Sequence, residues 1–122
     1  MAIIGSHMLI YSSEADALRT MLRDVFEMKS VDAGHGWLIF KMPPAELGIH
    51  PTGGPAAGSK GTHQISFICD DLAKTMAELS AKGVHFAGEP QAAGFGTTVT
   101  MVLPGDVHVM LYQPRHALAL DL

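Results

Sequence analysis

Seven histidines, one cysteine and twelve acidic side chains are the groups in this 122-residue sequence with chemistry to offer. Of the histidines in runs of strand-forming residues, three stand out as candidate ligands: His7 within 3–11, His50 closing 45–50, and His108 within 107–112. Period-2 alternation puts Glu46, Gly48 and His50 on one strand face and Leu47 and Ile49 on the other. A carboxylate on such a face is costly to bury alone, so it predicts a metal, a cation or a polar ligand group nearby; the competing reading is a strand-edge Glu in solvent. Further on, Ile65, Phe67 and Cys69 alternate with Gln64 and Ser66, which sends Gln64 to the polar side. His63 falls on the apolar side unless a bulge opens the strand. His108 and Met110 share a face one strand pair apart. Imidazole and carboxylate suit divalent ions, an amide oxygen is a weak neutral ligand, and a thioether is a poor partner for hard cations. Cys69 reads as a small buried hydrophobe rather than a nucleophile. His35, His85 and His116 read as surface residues.

The elements that must position these groups repeat in order. Residues 3–11 predict a strand, then Ser12 or Ser13 offers an N-cap with Glu14 and Asp16 in the first turn. Ala15, Leu18, Met21, Leu22, Val25 and Phe26 recur at helical spacing, predicting an amphipathic helix ending near Glu27. Short strands follow at 29–32 and 36–42 around a Gly34-His35-Gly36 turn, and another at 45–50 after Pro43-Pro44. Residues 51–61 hold four Gly and two Pro and read as a linker. The second half repeats the order: a strand at 62–69, a helix capped by Asp70 and stopped by Gly83, and strands at 84–86, 97–103 and 107–112. Gly94-Phe95-Gly96 and Pro104-Gly105-Asp106 supply the turns. The tail from His116 to Leu122 has no strong pattern.

Composition narrows the partners. The chain has the length of one domain, with halves at about 1–50 and 62–114, and 48% hydrophobic residues are enough for a packed interior. Eight scattered Lys and Arg and a net charge of −4 leave no basic stripe, so nucleic acid is not expected. Apolar runs are strand-length, short of the roughly 20 residues that span a bilayer, so no membrane partner is expected either. No signal peptide is visible, and one cysteine fits a reducing compartment, so a cytoplasmic protein is expected.

Several segments carry a resemblance. His7-Met-Leu-Ile-Tyr-Ser-Ser-Glu14 with Met21-Leu-Arg-Asp-Val-Phe-Glu-Met28, then Ile65-Ser-Phe-Ile-Cys-Asp-Asp-Leu72 with Ala77-Glu-Leu-Ser-Ala-Lys-Gly-Val84, and finally Gly94-Phe-Gly-Thr97 with 104–114, match in order and spacing. They resemble the opening, middle and closing segments of the vicinal oxygen chelate superfamily of glyoxalases, bleomycin-resistance proteins and extradiol dioxygenases. The resemblance covers residues 3–114. It implies an α+β fold in which paired βαβββ modules form a cupped mixed sheet, with helices on the convex side and ligand on the concave side. The tetrapeptide Gly5-Ser6-His7-Met8 also matches a common cloning remnant, yet Met1–Ile4 precede it and complete the strand.

The same resemblance implies a ligand set. His7 and Glu46 stand in the first two metal columns, Gln64 rather than His63 in the third, and Met110 where the fourth is normally Glu, with His108 as a neighbouring substitute. His7, Glu46, Gln64 and His108 would form a mixed site for Zn, Ni, Fe or Mn that polarises an oxygenated substrate as a Lewis acid. Glu46 can alternatively act as general base. His50, Trp37, Met101, Met110 and Tyr112 are expected to line the ligand pocket. Two functions follow from the family: a divalent-metal-dependent lyase or dioxygenase, or a metal-free protein that binds and sequesters a small molecule. A homodimer is expected in either case.

Overall fold

The computed structural model describes residues 7–49 and 63–122. Helix α1 spans Ala15–Asp24, strands β1 Ser30–Asp32 and β2 Leu38–Phe40 form a hairpin, and strand β3 covers Ser66–Ile68. Helix α2 spans Leu72–Ala81, followed by β4 His85–Ala93, β5 Gly96–Leu103, β6 Val107–Pro114 and a short 3-10 helix at Ala119–Asp121. The hairpin is a separate two-stranded sheet. The other four strands form one mixed sheet in the order β3-β6-β5-β4, with β3 parallel to β6 and the other pairs antiparallel. The second half is therefore a βαβββ module, and the chain is of the α+β class with helices packed on mixed sheets.

Alternation explains why the second module is so regular. In β5, Val99, Met101 and Leu103 are buried and alternate with half-buried Thr98, Thr100 and Val102; in β6, Val109 and Leu111 play the same part. These inward residues meet Leu18 of α1 and Leu72 and Leu79 of α2 in one apolar core. The pattern fixes register, because a slip by one residue would turn the whole set to the wrong face. α2 is capped by Asp71, not Asp70: the Asp71 carboxylate accepts from the Lys74 N–H at 3.0 Å. It ends at Gly83, whose φ of 93° lets Val84 N–H reach back to the Leu79 carbonyl at 3.0 Å.

The first half departs from expectation. The described parts of the strands expected at 3–11 and 45–50 join no ladder. Residues 8–11 are apolar on both faces, so no burial pattern selects a register. Pro43 and Pro44 lack the donors a ladder needs, and Gly48 adds no side chain to pack. α1 starts one or two residues later than Ser12 or Ser13 would cap, with Glu14 in the N-cap position. The Ser12 hydroxyl instead accepts from Glu14 N–H at 3.0 Å and donates to the Pro104 carbonyl at 2.7 Å. The Glu14 carboxylate in turn accepts from Gly105 N–H at 2.7 Å. The helix entry is thus fastened to the β5–β6 turn, joining the two halves. At the other end of α1, Phe26 meets Phe67 of β3 edge to face at 5.7 Å.

Candidate functional site

The sheet face turned away from the helices carries His108, Met110 and Tyr112 from β6, because they alternate with buried Val109 and Leu111. Just before β3, the Gln64 side-chain amide donates to the Met110 sulfur. Ile65, Phe67 and Cys69 lie on the opposite side, packed against the core. The His108 imidazole is bonded at 2.9 Å to the carboxylate of Asp106 in the adjoining turn, and both side chains are exposed.

Glu46 meets this face from the first half, but its partner is the carboxy-terminal tail. The Glu46 carboxylate accepts from Ala119 N–H at 2.8 Å and lies 3.9 Å from the His116 ring nitrogen. The His116 ring tilts against Tyr112 at 5.8 Å, and Phe95 meets the other side of Tyr112 edge to face at 5.9 Å. The Tyr112 hydroxyl donates to the Phe95 carbonyl at 3.0 Å. Loss of solvent, and secondarily the Glu46 carboxylate, hold the Tyr112 phenol above its ordinary pKa.

A second feature lies on the helix side. A cavity of about 450 Å³ opens between α1, the β1–β2 hairpin and β3. Leu18, Leu22, Phe40 and Phe67 form its apolar walls, and Trp37 lines it while remaining 62% exposed. Trp37 follows a turn that the Asp32 carboxylate organises by accepting from Gly34 N–H at 2.7 Å and Gly36 N–H at 3.2 Å. His7, Ser12 and Arg19 supply the polar groups at its border. The volume is in the range that holds a small ligand, roughly 300–1,000 Å³.

The expected site residues are therefore distributed over three places. Gln64, Met110, Tyr112, Glu46 and His108 belong to the open face, although His108 is occupied by Asp106. His7 and Trp37 border the cavity. Met101 is a correction: its relative exposure is 0%, and it sits in the core between Val99 and Leu103 with no surface to offer a ligand. The signal was in the sequence, since Thr98 and Thr100 alternate with Val99 and Met101. His50 lies outside the described residues. The involvement of His116, Phe95 and Ala119 had no local signal, because they reach Glu46 and Tyr112 only through the fold.

The donor set implied for a divalent metal does not fit this arrangement. His7 is at the cavity, apart from the other three, and on the open face Glu46 is bonded to a backbone amide and His108 to Asp106. Among the described residues, no three His, Cys, Asp or Glu side chains are grouped to hold a metal ion. Nor is any described helix long and apolar enough to cross a membrane.

The strand–helix order read twice in the sequence, and the mixed sheet with helices on one side, are those of the glyoxalase-like α+β fold. The family model of the Glyoxalase/Bleomycin resistance protein/Dioxygenase superfamily matches residues 6–113, and the chain belongs to that superfamily. Among solved structures it is similar to the antibiotic-binding protein TnmS3 from Streptomyces sp. CB03234, with a TM-score of 0.65 and 19% identity over 93% of this chain and 98% of that one. It is also similar to lactoylglutathione lyase from Agrobacterium tumefaciens, with a TM-score of 0.62 and 20% identity over 93% and 94%. The fosfomycin resistance protein FosX from Listeria monocytogenes gives a TM-score of 0.58 and 16% identity over 100% and 98%. Likeness at these identities establishes a shared fold. No curated protein matches the chain.

Proposed function

We propose that this protein binds and sequesters a small apolar molecule bearing an aromatic group, and does so without a metal. The observation that carries this reading is that the implied metal donors are not gathered: His7 lines the α1–hairpin cavity, whereas Gln64, Glu46 and His108 belong to the open face. The Glu46 carboxylate is moreover hydrogen-bonded to the chain's own tail. The α1–hairpin cavity offers the seat, with apolar walls for area burial and Trp37 for stacking. The antibiotic-binding activity of TnmS3 supports the same reading.

The single domain acts as a homodimer in the cytoplasm on this proposal. Tyr11, Leu47 and Ile49 are 87%, 86% and 87% exposed, an apolar excess that a second copy would cover. The half-buried single cysteine fits a reducing compartment. A metal-dependent lyase or dioxygenase using Glu46 as base is the second reading, favoured by the lactoylglutathione lyase likeness. It requires His7 to join the open face and the Glu46–tail bond to give way.

Quenching of Trp37, the chain's one tryptophan, tests the proposal directly. Titration with 8-anilinonaphthalene-1-sulfonate should give saturable quenching that is the same with and without EDTA, and that Phe40→Ala weakens. Quenching that EDTA abolishes would contradict it.

A further inference from the structure

The tail after β6 is tied down more firmly than its sequence suggests. Arg115 N–H donates to the Phe95 carbonyl at 2.9 Å, and its guanidinium donates to the Ala93 carbonyl at 3.0 Å. His116 then lies against the Tyr112 ring, and the Ala119–Asp121 turn is held by Glu46 through the Ala119 N–H. The chain therefore runs from the β4–β5 turn, across Tyr112, to a carboxylate of the first half. These holds differ in kind. Those at Arg115 are bonds to exposed backbone carbonyls at one edge, whereas Glu46 is the only charged side chain of the first half bonded to the tail among the described residues, and its side chain is only 19% exposed. The Glu46 bond and the Arg115 guanidinium bond both involve an ionised group, and such bonds are about twice as strong as those between neutral groups, but only Glu46 ties the tail to the first half.

We infer that residues 115–121 form a releasable strap across the open face, latched by the Glu46 carboxylate on Ala119 N–H. Beneath it lies the Tyr112 ring, covered by His116 and flanked by the exposed Phe95, an aromatic surface that suits an apolar ligand. Access to the face of Tyr112 under His116 requires release of the strap. Release leaves the sheet intact, because β6 is held by β3 and β5 independently of the tail. Glu46 acts here as a positioning residue, in a place the superfamily resemblance would give to a metal ligand. The inference concerns the open face and is separate from ligand binding in the α1–hairpin cavity.

Hydrogen exchange on the full chain tests it, using three variants. Glu46→Ala removes the acceptor. Glu46→Gln keeps a neutral acceptor. Ala119→Pro removes the donor at the first residue of the turn, where proline is tolerated and Leu118 is already extended (φ −88°, ψ 130°). The bonded amides of Asp121 and Leu122 should exchange roughly tenfold faster in Glu46→Ala and Ala119→Pro, and less so in Glu46→Gln, because loss of one charge-assisted bond is worth about that factor in a local opening. Amides of Val109 and Leu111 should be unchanged. Three results would overturn the inference: an unprotected wild-type tail, tail exchange that neither variant alters, or loss of β6 protection together with the tail in both variants. Tetranitromethane labelling of the Ala119→Pro variant supplies a second reading. Nitration of Tyr112 should rise relative to Tyr11, which is 87% exposed and serves as the internal standard. An unchanged ratio would contradict the claim that the strap limits access.

Discussion

The side-chain amide of Gln64 donates to the sulfur of Met110, across the parallel pairing of β3 with β6. Neither partner is in the core, so each can be replaced at small cost to the fold. Met101, one strand away and facing the other side, is fully enclosed. Met101→Ala should therefore lower the free energy of unfolding by about 2–5 kcal/mol, the range for emptying a core site, while Met110→Ala should cost less than half as much. Urea unfolding monitored by circular dichroism measures both. Equal losses would contradict the assignment of faces.

The junction of the two halves gives a sharper test. Gly105 has φ of 84°, and a side chain there would run into the Ser12 hydroxyl. Gly105→Ala should destabilise by about 1–3 kcal/mol through left-handed strain and the displaced Ser12–Pro104 bond. Gly94→Ala, where a Cβ meets nothing within 4 Å, should be close to neutral. The comparison is made on the same unfolding curves.

Cys69 should be a sluggish thiol. Burial raises its pKa first, with Asp70 and Asp71 adding to the rise and a hydrogen bond with Thr75 opposing it. Alkylation by iodoacetamide at neutral pH should be slower than for an unstructured peptide, and its rate should climb at higher pH than the peptide's. The linkage runs the same way: the folded chain holds the thiol proton more tightly than the unfolded one. This contribution to stability is therefore present below the unfolded pKa and lost as pH rises through the folded value. A Cys69 that alkylates as fast as the peptide would contradict the half-buried placement.

The proposed homodimer would use the exposed apolar residues of the first half. Light scattering should give twice the mass of the 13.0 kDa chain, and Leu47→Lys with Ile49→Lys should return it to a monomer. A wild-type monomer at high micromolar concentration would count against the dimer.

How far the sequence could be read depended on whether each segment had one buried face. Val99, Met101 and Leu103 alternate with Thr98, Thr100 and Val102, and Val109 and Leu111 with His108 and Met110, so β5 and β6 could be located from periodicity, although Met101 was expected in the pocket; β4, expected at 84–86, runs to Ala93 through exposed residues with no alternation to mark it. Residues 8–11 are apolar on both faces, and 45–49 follow two prolines, so strand chemistry there was not enough to specify a partner. The candidate site divided in the same way. The face taken by Gln64 followed from parity, but its contact with Met110 did not. The capture of Glu46 by Ala119, 73 residues away, depends on the path of a tail with no pattern of its own.

Metal content tests the central claim most directly. The protein should be incubated with equimolar Zn, Ni, Mn or Fe(II), desalted and analysed by inductively coupled plasma mass spectrometry. Well below one ion per chain is expected for every metal, with no further fall in a His108→Ala variant. One tightly held ion per chain, lost on substituting Glu46 or His108, would contradict the account.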